Sequence, residues 1–371
     1  MHSDLTLIFS ALFTAFVLTY FFIPSIIKVA KIKHLYDVPD DHRKSHSNVI
    51  PTLGGIGIFG GFMIAFCLFA NFSLANREIK YVLAALCFTF MLGAKDDIVD
   101  LVANKKFIGQ IFSAAIIVVL GNIRITSMYG LFGITFLDTY SSIFLSILTI
   151  IFIVNAFNLI DGINLLAGSI SIVISVAFGA WFYVYGFTDY AVLAAAMSGA
   201  VLAFLKYNFT PARIFMGDSG SMSIGLLAAI LAIQFIEMNE LILNKGISIG
   251  QPIVASPAMA IAVLIIPIYD ALRVFALRIL ARKSPFSADR NHIHHKLLDI
   301  GLSHLQATVI LIAVNILFII AVYLLQDWGN LVLIILEILM ATLLTLLLFL
   351  IKDKKKAEVK LPKRKVDLSL H

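Results

Sequence analysis

This sequence of 371 residues is 60% hydrophobic and only 13% charged, with a formal net charge of +6 and a mean hydropathy of +0.98. A water-soluble domain is excluded, because the surface of such a domain needs far more polar residues than this chain provides. Apolar runs of about 20 residues recur along the chain, the helix length that crosses a bilayer. The alternating ten-residue pattern of a membrane β-barrel is absent. We therefore predict an all-α polytopic membrane protein.

Hydropathy predicts eleven membrane spans. In chain order they are residues 5–27, 51–70, 79–95, 107–121, 140–158, 163–185, 190–206, 220–238, 253–276, 306–325 and 330–351. The ninth contains Pro267, which should bend the helix because proline has no N–H to donate. The segment 122–139, with Gly130 and Gly133, is expected to form a small hairpin. Residues 1–351 form a transmembrane catalytic domain in this interpretation, and residues 352–371 a basic, mobile cytoplasmic tail.

Basic residues set the orientation of these spans. With the amino terminus outside, only four of the 28 Lys and Arg residues fall on the outer side: Arg77, Lys80, Arg124 and Lys245. Lys and Arg concentrate in cytoplasmic loops of membrane proteins. The carboxy terminus is therefore expected in the cytoplasm, as are the loops rich in Asp, His and Arg.

Acidic residues lie where apolar runs end on this cytoplasmic side. Asp96 and Asp97 close the third span, Asp161 closes the fifth and Asp218 opens the eighth. A carboxylate at a membrane boundary needs a counter-charge, a metal or a water-filled cavity. Adjacent helical residues point about 100° apart, so one residue of the Asp96–Asp97 pair is expected to face a shared pocket. Solvated charges at a helix end are the alternative.

The end of the fifth span carries two amides before its acid. Asn155, Asn158 and Asp161 are spaced by three, which places them on one helix face. Such a stripe could bind a nucleobase, a ribose or a metal-bound phosphate. Hydrogen bonding between helices of the bundle is the alternative.

Glycines flank the acid that opens the eighth span, in Gly217-Asp218-Ser219-Gly220. They allow close backbone approach to a ligand, and a following helix N-terminus favours phosphate. Oxygen ligands with no cysteine nearby favour magnesium over zinc. The alternative is that Asp218 only caps its helix.

The loop after the ninth span holds three histidines beside basic residues. They are His292, His294 and His295, with Arg290 and Lys296. Together they provide many hydrogen-bond donors for phosphate oxygens; zinc ligation and a purely structural loop are the alternatives.

Two further basic groups stand apart from this loop. Lys44 and His46 are expected to contact a diphosphate. We expect Arg273, Arg278 and Arg282 to extend toward lipid head groups.

In this order, the motifs resemble the polyprenyl-phosphate N-acetylhexosamine-1-phosphate transferase family, also known as glycosyltransferase family 4. The resemblance spans about residues 40–305. It rests on Pro51-Thr52-Leu53-Gly54-Gly55, Asp96-Asp97, Asn155-x-x-Asn158-x-x-Asp161-Gly162, Gly217-Asp218-Ser219-Gly220 and His292-Ile293-His294-His295. It implies transfer of a sugar 1-phosphate, with N-acetylglucosamine as the closest match, from a UDP-sugar to undecaprenyl phosphate, with release of UMP. The product would be the first lipid-linked intermediate of a cell-envelope polysaccharide, such as an O antigen.

The resemblance also implies Mg²⁺ as the cofactor, with Mn²⁺ as an alternative ion. The implied partners are the UDP-sugar, undecaprenyl phosphate and the bilayer of the bacterial inner membrane. No nucleic acid is expected, and a homodimer is left open.

Roles follow for the matching residues. Asp218 is expected to bind the metal, and Asp96 or Asp97 to position the attacking lipid phosphate. The remaining assignments are Asp161 and Asn158 on the nucleotide side, His292, His294 and His295 on the phosphates, and Lys44, His46, Asn155 and Arg290 in substrate binding. A two-step route through a covalent aspartyl phosphate on Asp161 or Asp218 stays open.

Three rival functions remain as alternatives. One is a phosphatase or a phosphotransferase that uses a nucleotide-linked alcohol, and the dense Asp-Gly signature of the latter is missing here. The phospho-N-acetylmuramoyl-pentapeptide transferases typically have three consecutive histidines, and Ile293 interrupts that run here. A secondary transporter would place its carboxylates near the middle of the membrane rather than at span ends.

Overall fold

The computed structural model describes residues 2–35, 50–71, 78–245, 252–282 and 291–360, and these ranges contain thirteen α-helices. The first seven are α1 (His2–Lys33), α2 (Gly54–Phe69), α3 (Ile79–Val99), α4 (Ala103–Ala115), α5 (Thr139–Ile160), α6 (Leu166–Val184) and α7 (Thr188–Asn208). The remaining six are α8 (Gly217–Lys245), α9 (Ser256–Val263), α10 (Ile265–Leu280), α11 (Ile293–Asp299), α12 (His304–Leu325) and α13 (Asn330–Lys360). A π-helical turn, Ile116–Leu120, extends α4. Every predicted span coincides with one of these helices or, for the ninth, with the α9–α10 pair.

Within the described residues there is no β-strand, so the predicted all-α class is confirmed. Among the helices of the described ranges, eight are long and apolar enough to cross a membrane, and the bent pair α9–α10 would make a ninth. The other two predicted spans correspond to α2, which has only 16 residues, and to α3, which carries four charged side chains. The chain is therefore a multi-pass helical membrane protein, while the count of eleven spans and the orientation of the termini remain predictions.

The segment between α4 and α5 forms the small hairpin that the sequence predicts. Met128 N–H donates to the Thr135 carbonyl at 2.8 Å, beside an isolated antiparallel bridge between Ser127 and Phe136. Gly130 and Gly133 adopt φ angles of +75° and +78° at its turn, a conformation that glycine adopts without steric strain.

The predicted bend of the ninth span is an 80° break at Leu264. Pro267, three residues later, has no N–H to donate to the Val263 carbonyl. The buried Asn315 of α12 compensates, because its amide donates to the Ala262 carbonyl at 2.9 Å and to the Val263 carbonyl at 3.3 Å. A backbone carbonyl that loses its helical hydrogen bond inside a membrane needs a protein donor, because no water is present there to donate instead.

Close helix contacts hold the start of α8 in place. A Cβ atom on Gly93 of α3 would lie 2.6 Å from Ser219 Cα, and one on Gly225 of α8 would lie 2.8 Å from Val154 Cα of α5. These glycines let α3, α5 and α8 approach one another closely, so the ends of the three helices meet at one site.

Candidate active site at one end of the bundle

A cavity of about 340 Å³ opens at the end of the bundle where α3, α5 and α7 finish and α8 begins. Its lining residues are Thr52, Asp96, Asp97, Asp100, Asn158, Asp161, Gly162, Ile163, Asn164, Asn208, Phe215, Gly217 and Asp218. The four aspartates singled out from the sequence thus share one cavity. Their convergence is confirmed, and their chemical roles stay predictions.

Asp97 caps the helix that begins at Gly217. Its Oδ1 accepts from the Asp218 N–H at 2.6 Å, and its Oδ2 accepts from the Ser219 N–H at 3.0 Å and the Ser219 hydroxyl at 2.5 Å. A carboxylate at this position satisfies free N–H groups and favours the helix dipole. The cap of α8 is therefore supplied by α3, and the alternative that Asp218 serves as its own helix cap is not realised.

Asp96 has a different set of partners. It accepts from the Leu101 N–H at 2.6 Å and from Lys106 Nζ at 2.9 Å. The expectation that one residue of the pair faces the pocket is wrong, since both Asp96 and Asp97 line the cavity. The cavity wraps around the end of α3, with Asp96 facing α4 and Asp97 facing α8.

Lys106 joins two of the acids. Its ammonium group forms ion pairs with both Asp96 and Asp218, and the other oxygen of Asp218 accepts from the Asn158 amide at 2.9 Å. Lys106 is not among the site residues predicted from the sequence. Its position in the first turn of α4 could have indicated an acidic partner, because the helix dipole disfavours a cation there unless an acid is near.

Asp161 ends α5 with no hydrogen bond or ion pair to any described residue. Burial, together with the neighbouring carboxylates of Asp218 and Asp97, raises the pKa of Asp161 well above its usual value. Such crowding of carboxylates is relieved by a cation or by a proton.

The donor atoms around Asp161 fit a hard divalent ion. Asp161, Asp218 and Asn158 line the same cavity, and magnesium prefers oxygen ligands such as those these side chains carry. No three acidic, His or Cys side chains in the described ranges form a complete metal site.

Asn155 is not part of the cavity lining, unlike Asn158 and Asp161, which follow it on the same helix. Its amide donates to Gln110 Oε1 at 2.7 Å and to the Ile151 carbonyl at 2.8 Å. Asn155 is six residues from Asp161, or about 9 Å along the helix axis. Asn155 therefore lies deeper in the bundle than the cavity. Its side chain forms a hydrogen bond between helices, which is the alternative that the sequence offered, and the predicted contact with substrate is not supported.

An aspartate missed in the sequence organises the histidine segment. Asp270 of α10 pairs with His292 Nδ1 at 2.9 Å, with Arg273 at 2.7 Å and with the Ile293 N–H at 3.1 Å. Arg273 also donates to the Asn291 carbonyl at 2.5 Å. The spacing of Asp270 and Arg273, three residues apart in an apolar helix, could have predicted this ion pair from the sequence.

The expected contact of three arginines with lipid head groups is accordingly wrong in part. Arg273 is held by the buried Asp270, which needs a counter-charge. Arg278 is buried beside the Phe275 ring, and only Arg282 is exposed.

His294 lies behind the cavity wall rather than in it. Its ring packs against Gly162 and 4.3 Å from the His295 ring. Both ring nitrogens are buried without a hydrogen-bond partner among the described residues, and burial lowers the pKa of His294 to about 3. The imidazole is therefore neutral at neutral pH. None of His292, His294 and His295 lines the cavity directly.

Three predicted substrate contacts, Lys44, His46 and Arg290, lie outside the described residues. At the carboxy-terminal end, α13 continues to Lys360, past the predicted domain boundary at residue 351. The rest of the predicted tail also lies outside the described residues.

Comparison with known proteins gives concordant matches. Residues 79–236 match the family described as glycosyl transferase family 4. The chain is 33% identical over 319 residues to the decaprenyl-phosphate N-acetylglucosaminephosphotransferase of Mycobacterium tuberculosis, covering 80% of this chain and 77% of that protein. It is 31% identical to the undecaprenyl-phosphate alpha-N-acetylglucosaminyl 1-phosphate transferase of Salmonella typhi, over 81% of this chain and 79% of that protein. A probable undecaprenyl-phosphate N-acetylglucosaminyl 1-phosphate transferase of Bacillus subtilis is also 31% identical, over 95% of this chain and 96% of that protein.

Proposed function

Because this chain belongs to glycosyl transferase family 4, we propose that it transfers N-acetylglucosamine 1-phosphate to a polyprenyl phosphate. The proposed donor is UDP-N-acetylglucosamine, and the proposed acceptor is undecaprenyl phosphate in the inner membrane of a bacterium, with the cavity facing the cytoplasm. The observation that carries the proposal is the meeting of Asp96, Asp161, Asp218 and Lys106 at a membrane-proximal cavity.

The proposed reaction exchanges one phosphate ester for another. An oxygen of the lipid phosphate attacks the sugar-linked phosphorus of the donor, and the bond from that phosphorus to the UMP oxygen breaks. UMP leaves with the bonding electron pair. A phosphate monoester is already largely ionised at pH 7, since its second pKa is about 6. The barrier to overcome is therefore the repulsion between two polyanions rather than removal of a proton.

Cations in the cavity would reduce that repulsion. Lys106 supplies one positive charge that is held between two carboxylates. Asp218 and Asp161 would hold a magnesium ion, whose chemistry is to neutralise the diphosphate and stabilise charge on the leaving UMP. Asn158, through its hydrogen bond to Asp218 at 2.9 Å, would keep that carboxylate in place.

The histidine segment would complete the phosphate side of the site. His294 has two buried ring nitrogens without partners in the described ranges, and its neutral ring can donate one N–H and accept one hydrogen bond. His292 is fixed by Asp270 at 2.9 Å. A substrate phosphate that reaches Gly162 would give the His294 ring the partner it lacks.

The rival functions fit these observations less well. A pentapeptide-bearing muramoyl donor would call for the uninterrupted histidine run, which Ile293 breaks. A secondary transporter would place its carboxylates near the middle of spans, whereas Asp161 and Asp218 lie at helix ends. A covalent phospho-enzyme on Asp161 or Asp218 is the alternative mechanism, and trapping a labelled enzyme with donor alone would establish it.

The decisive experiment incubates the purified protein with magnesium, undecaprenyl phosphate and a panel of UDP-sugars. We expect release of UMP with formation of an equal amount of lipid-linked N-acetylglucosamine 1-phosphate. Asp218→Asn should abolish both products, and Asp138→Asn at the opposite end of α5 should leave them unchanged. Failure of every UDP-sugar to yield a lipid product would contradict the proposal.

A further inference from the structure

A group of cations and aromatic rings lies beside the cavity, outside the proposed reaction site. It consists of Tyr20 on α1, Lys206 and Tyr207 at the end of α7, and Arg213 in the following loop; we name it the α1–α7 cation cluster. Lys206 Nζ donates to the Tyr20 hydroxyl at 2.6 Å and lies 4.3 Å from the centroid of the Tyr20 ring.

Both cations sit against one buried ring. Lys206 Nζ lies 5.9 Å and Arg213 Cζ 5.6 Å from the centroid of Tyr207. The Tyr207 hydroxyl in turn donates to the Tyr20 carbonyl at 3.1 Å. These contacts fix two positive charges near each other, since a cation within about 6 Å of an aromatic face is attracted to it.

The loop that carries Arg213 is also held in place. Arg213 N–H donates to the Tyr207 carbonyl at 2.8 Å, and Phe215 N–H donates to the Pro51 carbonyl at 2.9 Å. The side-chain amide of Asn208 donates to the Ile214 carbonyl at 3.0 Å. Arg213 is thus presented on a braced loop.

The positive charge of the cluster is available to a ligand. Lys206 and Arg213 are both exposed, and in the described ranges neither is paired with a carboxylate. Two ordered cations and a phenol hydroxyl form a donor set suited to a phosphate group.

The surroundings of the cluster are those of a lipid-covered surface. Phe21, next to Tyr20, is 66% exposed, and Leu202 and Phe209 on either side of Lys206 are 41% and 50% exposed. Lys206 is the third residue from the end of a candidate membrane span. Basic and aromatic side chains at such a boundary face lipid head groups.

We propose that the α1–α7 cation cluster binds the phosphate of an anionic phospholipid on the side of the membrane that holds the cavity. The exposed apolar neighbours favour a lipid over free phosphate, because they would cover its acyl chains while Lys206 and Arg213 hold its head group. Asn208 and Phe215, which line the cavity, are within two residues of these cations, so a bound lipid would lie next to the cavity mouth.

Native mass spectrometry of the delipidated full chain tests this proposal. Phosphatidylglycerol is titrated onto the wild type and onto the double variant Lys206→Gln/Arg213→Gln. We expect the double variant to need roughly tenfold more phosphatidylglycerol for the same occupancy. The control variant Lys80→Gln/Arg124→Gln removes two cations at the opposite end of the bundle, the exposed Lys80, which lies over the Tyr81 ring at 4.8 Å, and the half-buried Arg124, and should bind like the wild type.

Two further arms separate the possible outcomes. The charge-preserving variant Lys206→Arg/Arg213→Lys should bind phosphatidylglycerol like the wild type. If the neutral variant unfolds, this variant still tests whether positive charge at these two positions is sufficient for binding. Equal binding of phosphatidylcholine, or equal retention by wild type and neutral variant, would overturn the proposal. Displacement of the bound lipid by millimolar inorganic phosphate would show an anion site without lipid preference, and would overturn the lipid assignment.

Discussion

Asp97 holds the first turn of the helix that carries Asp218, through hydrogen bonds of 2.6 Å to the Asp218 N–H and 3.0 Å to the Ser219 N–H. Two adjacent acids on α3 therefore do different things. Asp97 fixes the position of α8, while Asp96 engages the cation that also binds Asp218.

Replacing Asp97 by Asn tests the capping role. The new amide nitrogen would face a backbone N–H of either Asp218 or Ser219, so at least one of these hydrogen bonds is lost, at a cost of about 1–3 kcal/mol. We expect a lower Tm together with reduced turnover. Asp100→Asn is the matched control, since the exposed Asp100 ends the same helix; its Tm should stay at the wild-type value. An unchanged Tm in Asp97→Asn would show that the cap is dispensable.

Removing the charge of Lys106 should disable the site. Lys106→Met leaves Asp96 and Asp218 without their shared cation, and we expect turnover to fall by roughly 100-fold. Lys105→Met changes the exposed neighbouring lysine and should retain wild-type turnover. The comparison of UMP release rates decides the matter, and equal rates for the two variants would exclude a special role for Lys106.

Gly162 leaves space for the His294 ring. A Cβ at this position would lie only 3.1 Å from His294 Cε1 and closer still to Nε2, so Gly162→Ala should displace the ring and reduce kcat. Gly60→Ala, where a Cβ would meet the Phe22 ring at an ordinary 3.4 Å, should behave like the wild type. If both variants keep full kcat, the contact between Gly162 and His294 has no part in turnover.

The burial of His294 makes stability depend on pH. Its pKa falls from an ordinary 6.5 to about 3 in the folded protein, so between these values the unfolded chain binds the extra proton. Folding stability should then decrease as the pH falls below 6.5, by about 1.4 kcal/mol per pH unit from this one group.

A thermal denaturation series from pH 7.5 to pH 5 measures this effect. The wild type should lose more stability over the series than His294→Asn, which has nothing to titrate. Parallel curves for the two proteins would mean that His294 is not buried in its neutral form.

The side chain of Asn315 should be needed at the break of the ninth span. Asn315→Leu would remove the donor to the Ala262 and Val263 carbonyls, and we expect destabilisation by about 1–3 kcal/mol. Ile316→Leu changes an exposed position of the same helix and should leave the unfolding temperature unchanged. Equal unfolding temperatures would show that another group serves these carbonyls.

The sequence predicts the helices well because their apolar runs have the length of a bilayer. It also predicts the convergence of Asp96, Asp97, Asp161 and Asp218, since each follows or precedes such a run on one predicted side. What it could not supply were side-chain directions and long-range partners. Lys106 was missed for that reason, since its partners Asp96 and Asp218 belong to other helices. For Asp270 the same holds of its partner His292, which is 22 residues away in the chain.

Asn155 is a residue that the sequence assigns to the site and the structure places outside the cavity lining. Its spacing from Asn158 and Asp161 is correct for one helix face, but depth along the axis decides which of them reaches the cavity. Asn155 donates a hydrogen bond to Gln110 at 2.7 Å. Because Gln110 belongs to another helix, residue spacing along the chain could not identify it as the partner of Asn155.

The span that begins with α4 links this chemistry to the thickness of the membrane. Ala103–Leu120 has 18 residues, or about 27 Å of helix, against a hydrocarbon core of about 30 Å. A span shorter than the hydrocarbon core is accommodated by local thinning of the bilayer or by flanking side chains that extend to the interface, and Lys106 lies in the first turn of this span. Lipids with longer acyl chains should therefore be deformed most around this span, next to the ion pair between Lys106 and Asp218.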